Sequence, residues 1–116
     1  LVHLDVGRLE LLYLFGPFYF MDYQKIYNQI NKRAKNELEL RKLNKKLWKD
    51  TKGEFGIYYE AHHILPKCMK GEGRTYDLDH SNIALLTARE HFLVHRILTR
   101  LYPKNLKIIR SFWGNV

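Results

Sequence analysis

The sequence predicts an α+β domain: a basic helical first part, two short strands joined by a loop, a capped helix, and a short last helix. Three observations carry this. Between Asp22 and Lys52 there is no Gly or Pro, and apolar residues recur there at helical spacing. Two short stretches, Phe55 to Glu60 and Ile83 to Leu86, read as strands separated by turn-forming text. Thr87 and Glu90, three residues apart, then spell a capping box ahead of a third periodic stretch.

Size and charge narrow the class. A chain of 116 residues is one domain, with an apolar content of 46% that argues against global disorder. The net charge of +8 points to a polyanionic partner, nucleic acid before an anionic membrane. With Cys68 as the one cysteine, the chain forms no internal disulfide and no Cys₄ or Cys₂His₂ zinc site.

Residues 1–20 are apolar and aromatic, with Asp5, Arg8 and Glu10 their charges. Those charges and the Gly16-Pro17 break argue against a membrane span, and no basic start or small-residue cleavage site marks a signal peptide. We expect translation to start at Met21, with residues 1–20 lying upstream. The alternative is a strand or hydrophobic helix packing on the domain. A single domain would then run over 21–116, divided into a basic helical part (21–52), a core (53–102) and a last short helix (103–116).

Asp22 suits an N-cap, and Tyr23, Ile26, Tyr27, Ile30, Ala34 and Leu38 follow at helical spacing. One long helix or two shorter ones fit this text, with Gly53 as the stop. The charge is concentrated here: Lys25 to Lys52 holds ten Lys and Arg against three Asp and Glu. Such a run is either a solvated helix face or a phosphate-contacting surface.

Pro66 ends or bends the first strand, and Gly71 and Gly73 mark a loop. After the second strand, Phe92, Leu93, Ile97, Leu98 and Leu101 give the capped helix its apolar side. Pro103 stops it near Tyr102. Leu106, Ile108, Ile109, Phe112 and Trp113 suggest the last helix.

Five of the six histidines fall between Glu60 and His95. His91 and His95 stand at i and i+4, so their imidazoles share one helix face and form a bidentate metal grip. Such a grip needs a further ligand, and His62 at the strand end is the obvious one. An HxxxH pair alone is common on helix surfaces, so the combination with strand, loop and strand carries the reading. His63, next to His62, should point away from it unless the backbone bends. A bend would leave it near the metal as a base, since imidazole chemistry suits proton transfer at neutral pH. His80 reads as loop surface. Of Tyr58 and Tyr59, one reads as core and the other as solvent-facing.

The stretches His62-His63-Ile64-Leu65-Pro66, Ser81-Asn82-Ile83 and Leu86-Thr87-Ala88-Arg89-Glu90-His91 resemble, in order, the three signature parts of the HNH endonuclease family, with its ββα-metal (His-Me finger) fold. The text from Asp79 to Asn82 with the His91/His95 pair further resembles the colicin-type DNases. The whole is most similar to small phage-encoded, homing-type HNH endonucleases. The resemblance implies that His63 is the general base and that His62, His91 and His95 hold one divalent metal. Asn82 would tie the loop between the strands and help orient His63, and Glu60 matches an acidic position near the site. Many family members have Asp where this chain has His62. Three imidazoles favour Zn²⁺, Ni²⁺ or Mn²⁺, whereas Mg²⁺ prefers oxygen ligands.

The expected function is thus a metal-dependent DNA endonuclease, phage- or mobile-element-encoded, cytoplasmic (in the host cell if phage-encoded) and without a membrane partner; the sequence does not give its oligomeric state, with a monomer favoured. Two alternatives remain open: a zinc-stabilised DNA-binding module without cleavage, and a metal-dependent ribonuclease on RNA.

Overall fold

The structure is a computed structural model and describes residues 22–114. The expectations for residues 1–20 and for a start at Met21 lie outside the described residues.

Helix α1 (Tyr23–Asn36) begins where Asp22 accepts a hydrogen bond from the Lys25 backbone N–H at 2.9 Å. Its inward face buries Tyr27, Asn31 and Ala34, with Tyr23, Ile26 and Ile30 packed against the same core. At Glu37 the backbone departs from helical values (φ −98°, ψ 15°), and helix α2 (Leu38–Asp50) follows. Of the two arrangements the sequence allowed, two helices form.

The buried residue of α2 is an arginine. Arg41 is 3% exposed and reaches across to the sheet and the capped helix. It donates to the Leu85 carbonyl at 2.9 Å, to Glu90 at 2.6 and 3.2 Å, and to Glu37 at 3.0 and 3.1 Å. Three of the ten cations in the charge run are therefore held by the fold: Arg41, Lys35 on the carbonyls of His80 and Ile83, and Lys42 on Asp79. Lys25, Lys32, Lys49 and Lys52 face solvent.

The first strand is shorter and later than its apolar text suggests. β1 spans Glu60–His63, and the backbone over 55–59 is irregular. The reason lies in what this segment packs on. The Ile57 N–H bonds the Asn44 carbonyl of α2 at 3.2 Å, so its hydrogen bonding is committed to the helix and not to a ladder. Gly56 has φ +81°, and a Cβ there would sit 2.4 Å from the Asn44 oxygen. Tyr59 is buried and Tyr58 exposed, one on each side.

Strand β2 (Ile83–Leu86) pairs with β1 antiparallel, with Glu60 opposite Leu86, Ala61 opposite Leu85, His62 opposite Ala84 and His63 opposite Ile83. All four β2 residues are fully buried, because α1, α2 and α3 all touch this strand. The intervening loop folds tightly on itself through a 3₁₀ turn at Lys67–Met69. Gly71 is required there, since a Cβ would lie 1.8 Å from the Leu65 carbonyl oxygen.

Helix α3 (Ala88–Leu101) carries the predicted capping box in both directions. Thr87 Oγ accepts from the Glu90 N–H at 3.1 Å, and Glu90 accepts from the Thr87 N–H at 2.9 Å. Leu93, Val94, Ile97 and Leu98 enter the core, whereas Phe92 stays 39% exposed against Phe112. The helix ends at Leu101, with Tyr102 as C-cap. Asn105 then accepts from the backbone N–H groups of Lys107 and Ile108 to open α4 (Leu106–Gly114), which buries Ile108. Among the described residues the architecture is α+β: four helices around a two-stranded antiparallel sheet. No described helix is long and apolar enough to cross a membrane.

Candidate metal centre and catalytic cleft

The end of β1, the middle of α3 and one face of α4 enclose a cleft of about 470 Å³. His62, His63, His91 and His95 line it together with Lys67 and Lys107. His62, His91 and His95 each offer a ring nitrogen, and these atoms lie within 4.8 Å of one another. The two helical imidazoles face each other with their Nε2 atoms 3.0 Å apart. The His62 ring stands edge-on to both, at centroid distances of 5.3 and 5.4 Å.

A hydrogen bond on the far side of the His91 ring decides which of its nitrogens is free. The His91 Nδ1 lies 2.7 Å from Glu60 Oε1, a pure acceptor as a carboxylate, so Nδ1 donates and Nε2 is left for a ligand. Glu60 is steadied by the Tyr58 hydroxyl at 2.9 Å. The hydrogen bond from His91, joined by that from Tyr58, holds the Glu60 carboxyl below its ordinary range. Carboxylate–imidazole pairs of this kind are the usual support for a metal-ligating histidine.

Burial keeps two of these imidazoles, His62 and His95, neutral. Burial, with smaller contributions from His95, His91 and His63, depresses His62 to about 2. Burial, followed by His91, lowers His95 to about 4, against a small opposing pull from Glu60. Neutral imidazole is the metal-binding form, so these donors need lose no proton at neutral pH to coordinate an ion. Three imidazole nitrogens converging beside open cleft volume fit a borderline divalent ion such as Zn²⁺.

His63 lies on the other side of β1 from His62 yet borders the same cleft. Its Nε2 sits 2.8 Å from the Gly73 carbonyl oxygen, which can only accept. The imidazole therefore donates through Nε2 and keeps the Nδ1 lone pair. The loop that presents Gly73 is tied by Asn82. Its Oδ1 accepts from the Leu65 N–H at 2.7 Å, and its Nδ2 donates to the carbonyls of Leu65 at 3.1 Å and Glu72 at 2.8 Å. Asn82 thus ties Leu65 to Glu72, the neighbour of the His63 partner Gly73, without touching His63 itself. His80 accepts from the Asn82 backbone N–H at 3.0 Å, which makes it a loop-folding residue.

The sequence did not single out Tyr27, Lys67 or Lys107. Tyr27 was legible as an inward helical residue, and a Tyr in place of Phe on a buried face signals a partner for its hydroxyl. That partner is His62 Nε2 at 2.9 Å, with the Ile64 carbonyl at 2.5 Å. Nothing in the local text marks the two lysines.

The chain is similar to phage endonucleases. It is 37% identical over 94 residues to "Probable mobile endonuclease D" of Enterobacteria phage T4 and 38% identical over 92 residues to "Probable mobile endonuclease E" of the same phage. With "Probable mobile endonuclease B" it shares 34% identity over 92 residues. These alignments cover 81%, 79% and 78% of this chain but 30%, 51% and 29% of the relatives. The chain thus spans about half the length of one relative and under a third of the other two. No family model matches the chain. No solved structure matches it either.

Proposed function

We propose that this domain is a metal-dependent DNA endonuclease of the HNH, ββα-metal type, with His63 as general base and His62, His91 and His95 as the ligands of one divalent ion. The observation that carries the reading is the convergence of three imidazoles in one cleft with a fourth whose tautomer is held by a backbone carbonyl. The similarity to phage proteins named as mobile endonucleases supports the same class.

The chemistry follows from the side chains. With Nε2–H occupied by Gly73, His63 Nδ1 takes a proton from water. The oxygen so activated attacks phosphorus in line with the 3′ oxygen. The P–O3′ bond breaks and the departing oxygen takes a proton from solvent water, leaving a 5′-phosphate and a 3′-hydroxyl, while His63 returns its proton to solvent. A divalent ion held by the three histidines would supply Lewis-acid stabilisation of the charge developing on the phosphate and the departing oxygen. Glu60 keeps the His91 ring in the tautomer and orientation that ligation needs. Asn82 keeps the loop closed so that Gly73 stays against His63. Lys67 and Lys107, from the loop and from α4, bring positive charge to the cleft, and the solvent-facing lysines of α1 and α2 add phosphate contacts beyond it.

The test uses the full chain and supercoiled plasmid with Mg²⁺, Mn²⁺, Ni²⁺ or Zn²⁺, an EDTA control, and His63→Ala. Nicking that requires metal and is lost in His63→Ala, while that variant still binds the ion, is the expected result. Cleavage that persists in His63→Ala would overturn the base assignment. A folded, metal-loaded protein that binds DNA without cutting it would be the zinc-stabilised binding module, and cleavage confined to RNA would make it a ribonuclease.

A further inference from the structure

The hydroxyl of Tyr27 lies between His62 and Ile64, 35 residues away from the histidine in the chain and on a helix outside the strand–loop–strand–helix text. The side chain is buried, at 4% exposure. A phenol has one proton to give. The Ile64 carbonyl can only accept, and at 2.5 Å the contact must contain that proton. The second contact, 2.9 Å to His62 Nε2, then needs its proton from the imidazole. His62 therefore carries hydrogen on Nε2, aimed at the phenol oxygen, and a neutral ring so protonated has its lone pair on Nδ1.

We propose that Tyr27 is a positioning residue of the metal centre: it holds His62 in the Nε2–H tautomer, so that this ligand binds through Nδ1 while His91 binds through Nε2. The inference rests on the metal-centre reading above. It adds an uncharged partner to the donor set, since His91 leans on a carboxylate and His62 on a phenol. The same hydroxyl grips the residues on both sides of His63, through the His62 ring and the Ile64 carbonyl. One side chain of α1 thus steadies a ligand and the backbone of the base together. Phenylalanine would fill nearly the same space but leave the His62 N–H and the Ile64 carbonyl unpaired, and the ring free to turn about Cβ–Cγ.

The experiment measures Zn²⁺ affinity by calorimetry for the full chain, Tyr27→Phe, His62→Ala and the double variant. Long-range ¹H–¹⁵N spectra of the metal-free wild type read the His62 tautomer directly. Tyr27→Phe should weaken Zn²⁺ binding by ~10–100-fold, the range for loss of a ligand's outer partner. In the His62→Ala background it should cause no further loss. The spectra should show His62 protonated at Nε2. An Nδ1–H tautomer, unchanged affinity in folded Tyr27→Phe, or an equal loss in the His62→Ala background would each overturn the proposal. If Tyr27→Phe does not fold, the wild-type tautomer decides. A wild type that binds no Zn²⁺ would sink the metal-centre reading, and with it the ligand role of His62, whereas intact Zn²⁺ binding with an Nδ1–H His62 would sink the Tyr27 relay alone.

Discussion

Asn82 closes the loop between the strands with three hydrogen bonds from one side-chain amide, one accepted and two donated. An amide is needed because the partners differ in kind: a backbone N–H on one side and two carbonyls on the other. Asn82→Ala should lower the unfolding free energy measured in urea by roughly 1–3 kcal/mol, from a net of about 1 kcal/mol per bond. Asn82→Asp keeps the acceptor but turns a carboxylate toward the carbonyls of Leu65 and Glu72, so it should not rescue stability. Full recovery in the Asp variant would show that the two donated bonds contribute nothing.

Among the elements, α2 behaves least like its sequence. Its cations read as solvent-facing or DNA-facing, yet Arg41 is an internal strut between α2, β2 and α3. Glu90 serves both the Thr87 cap and Arg41. Burial would raise the Glu90 carboxyl, but the hydrogen bond from Arg41 and those from Thr87 hold it below its ordinary range. Arg41→Ala leaves Glu90 and the Leu85 carbonyl without their partner, and should cost about 3–5 kcal/mol in urea unfolding, as for a broken buried pair. Arg33, 72% exposed and paired to Glu37 one helical turn away, is the control. Its replacement by Ala should change stability by less than ~0.5 kcal/mol. Equal losses for the two would mean that burial adds nothing to the Arg41 contacts.

At the scale of the whole molecule, the histidine cluster ties stability to pH. His62 and His95 are held at about 2 and about 4, below the 6.5 of a free imidazole. Between those values and 6.5 the unfolded chain binds protons that the folded one refuses, so stability rises with pH across this window. As pH falls, the metal-free protein should begin to weaken near ~6.5 and continue down toward about 4 for His95 and about 2 for His62. Glu60 and Glu90, both lowered, act in the same direction once pH falls below the ordinary carboxylate range. Urea midpoints of the metal-free protein at pH 8, 6 and 5 measure the effect. A flat profile from 8 to 5 would mean that the imidazoles are not held neutral.

The sequence by itself determined the features decided within a turn of helix or along one short strand. The capping box at Thr87 and Glu90, the shared face of His91 and His95, the Asp22 cap and the buried run of β2 depend on residues at most four apart, or on one apolar run. Tertiary structure alone decided the late start of β1, because the Ile57 N–H is claimed by Asn44 in a different element. It decided that Arg41 is internal, because its acceptors lie 44 and 49 residues away. It also decided which ring nitrogen His62, His63 and His91 keep free. A tautomer depends on the group facing the other nitrogen, and those groups come from 10, 31 and 35 residues along the chain, where no local pattern reaches.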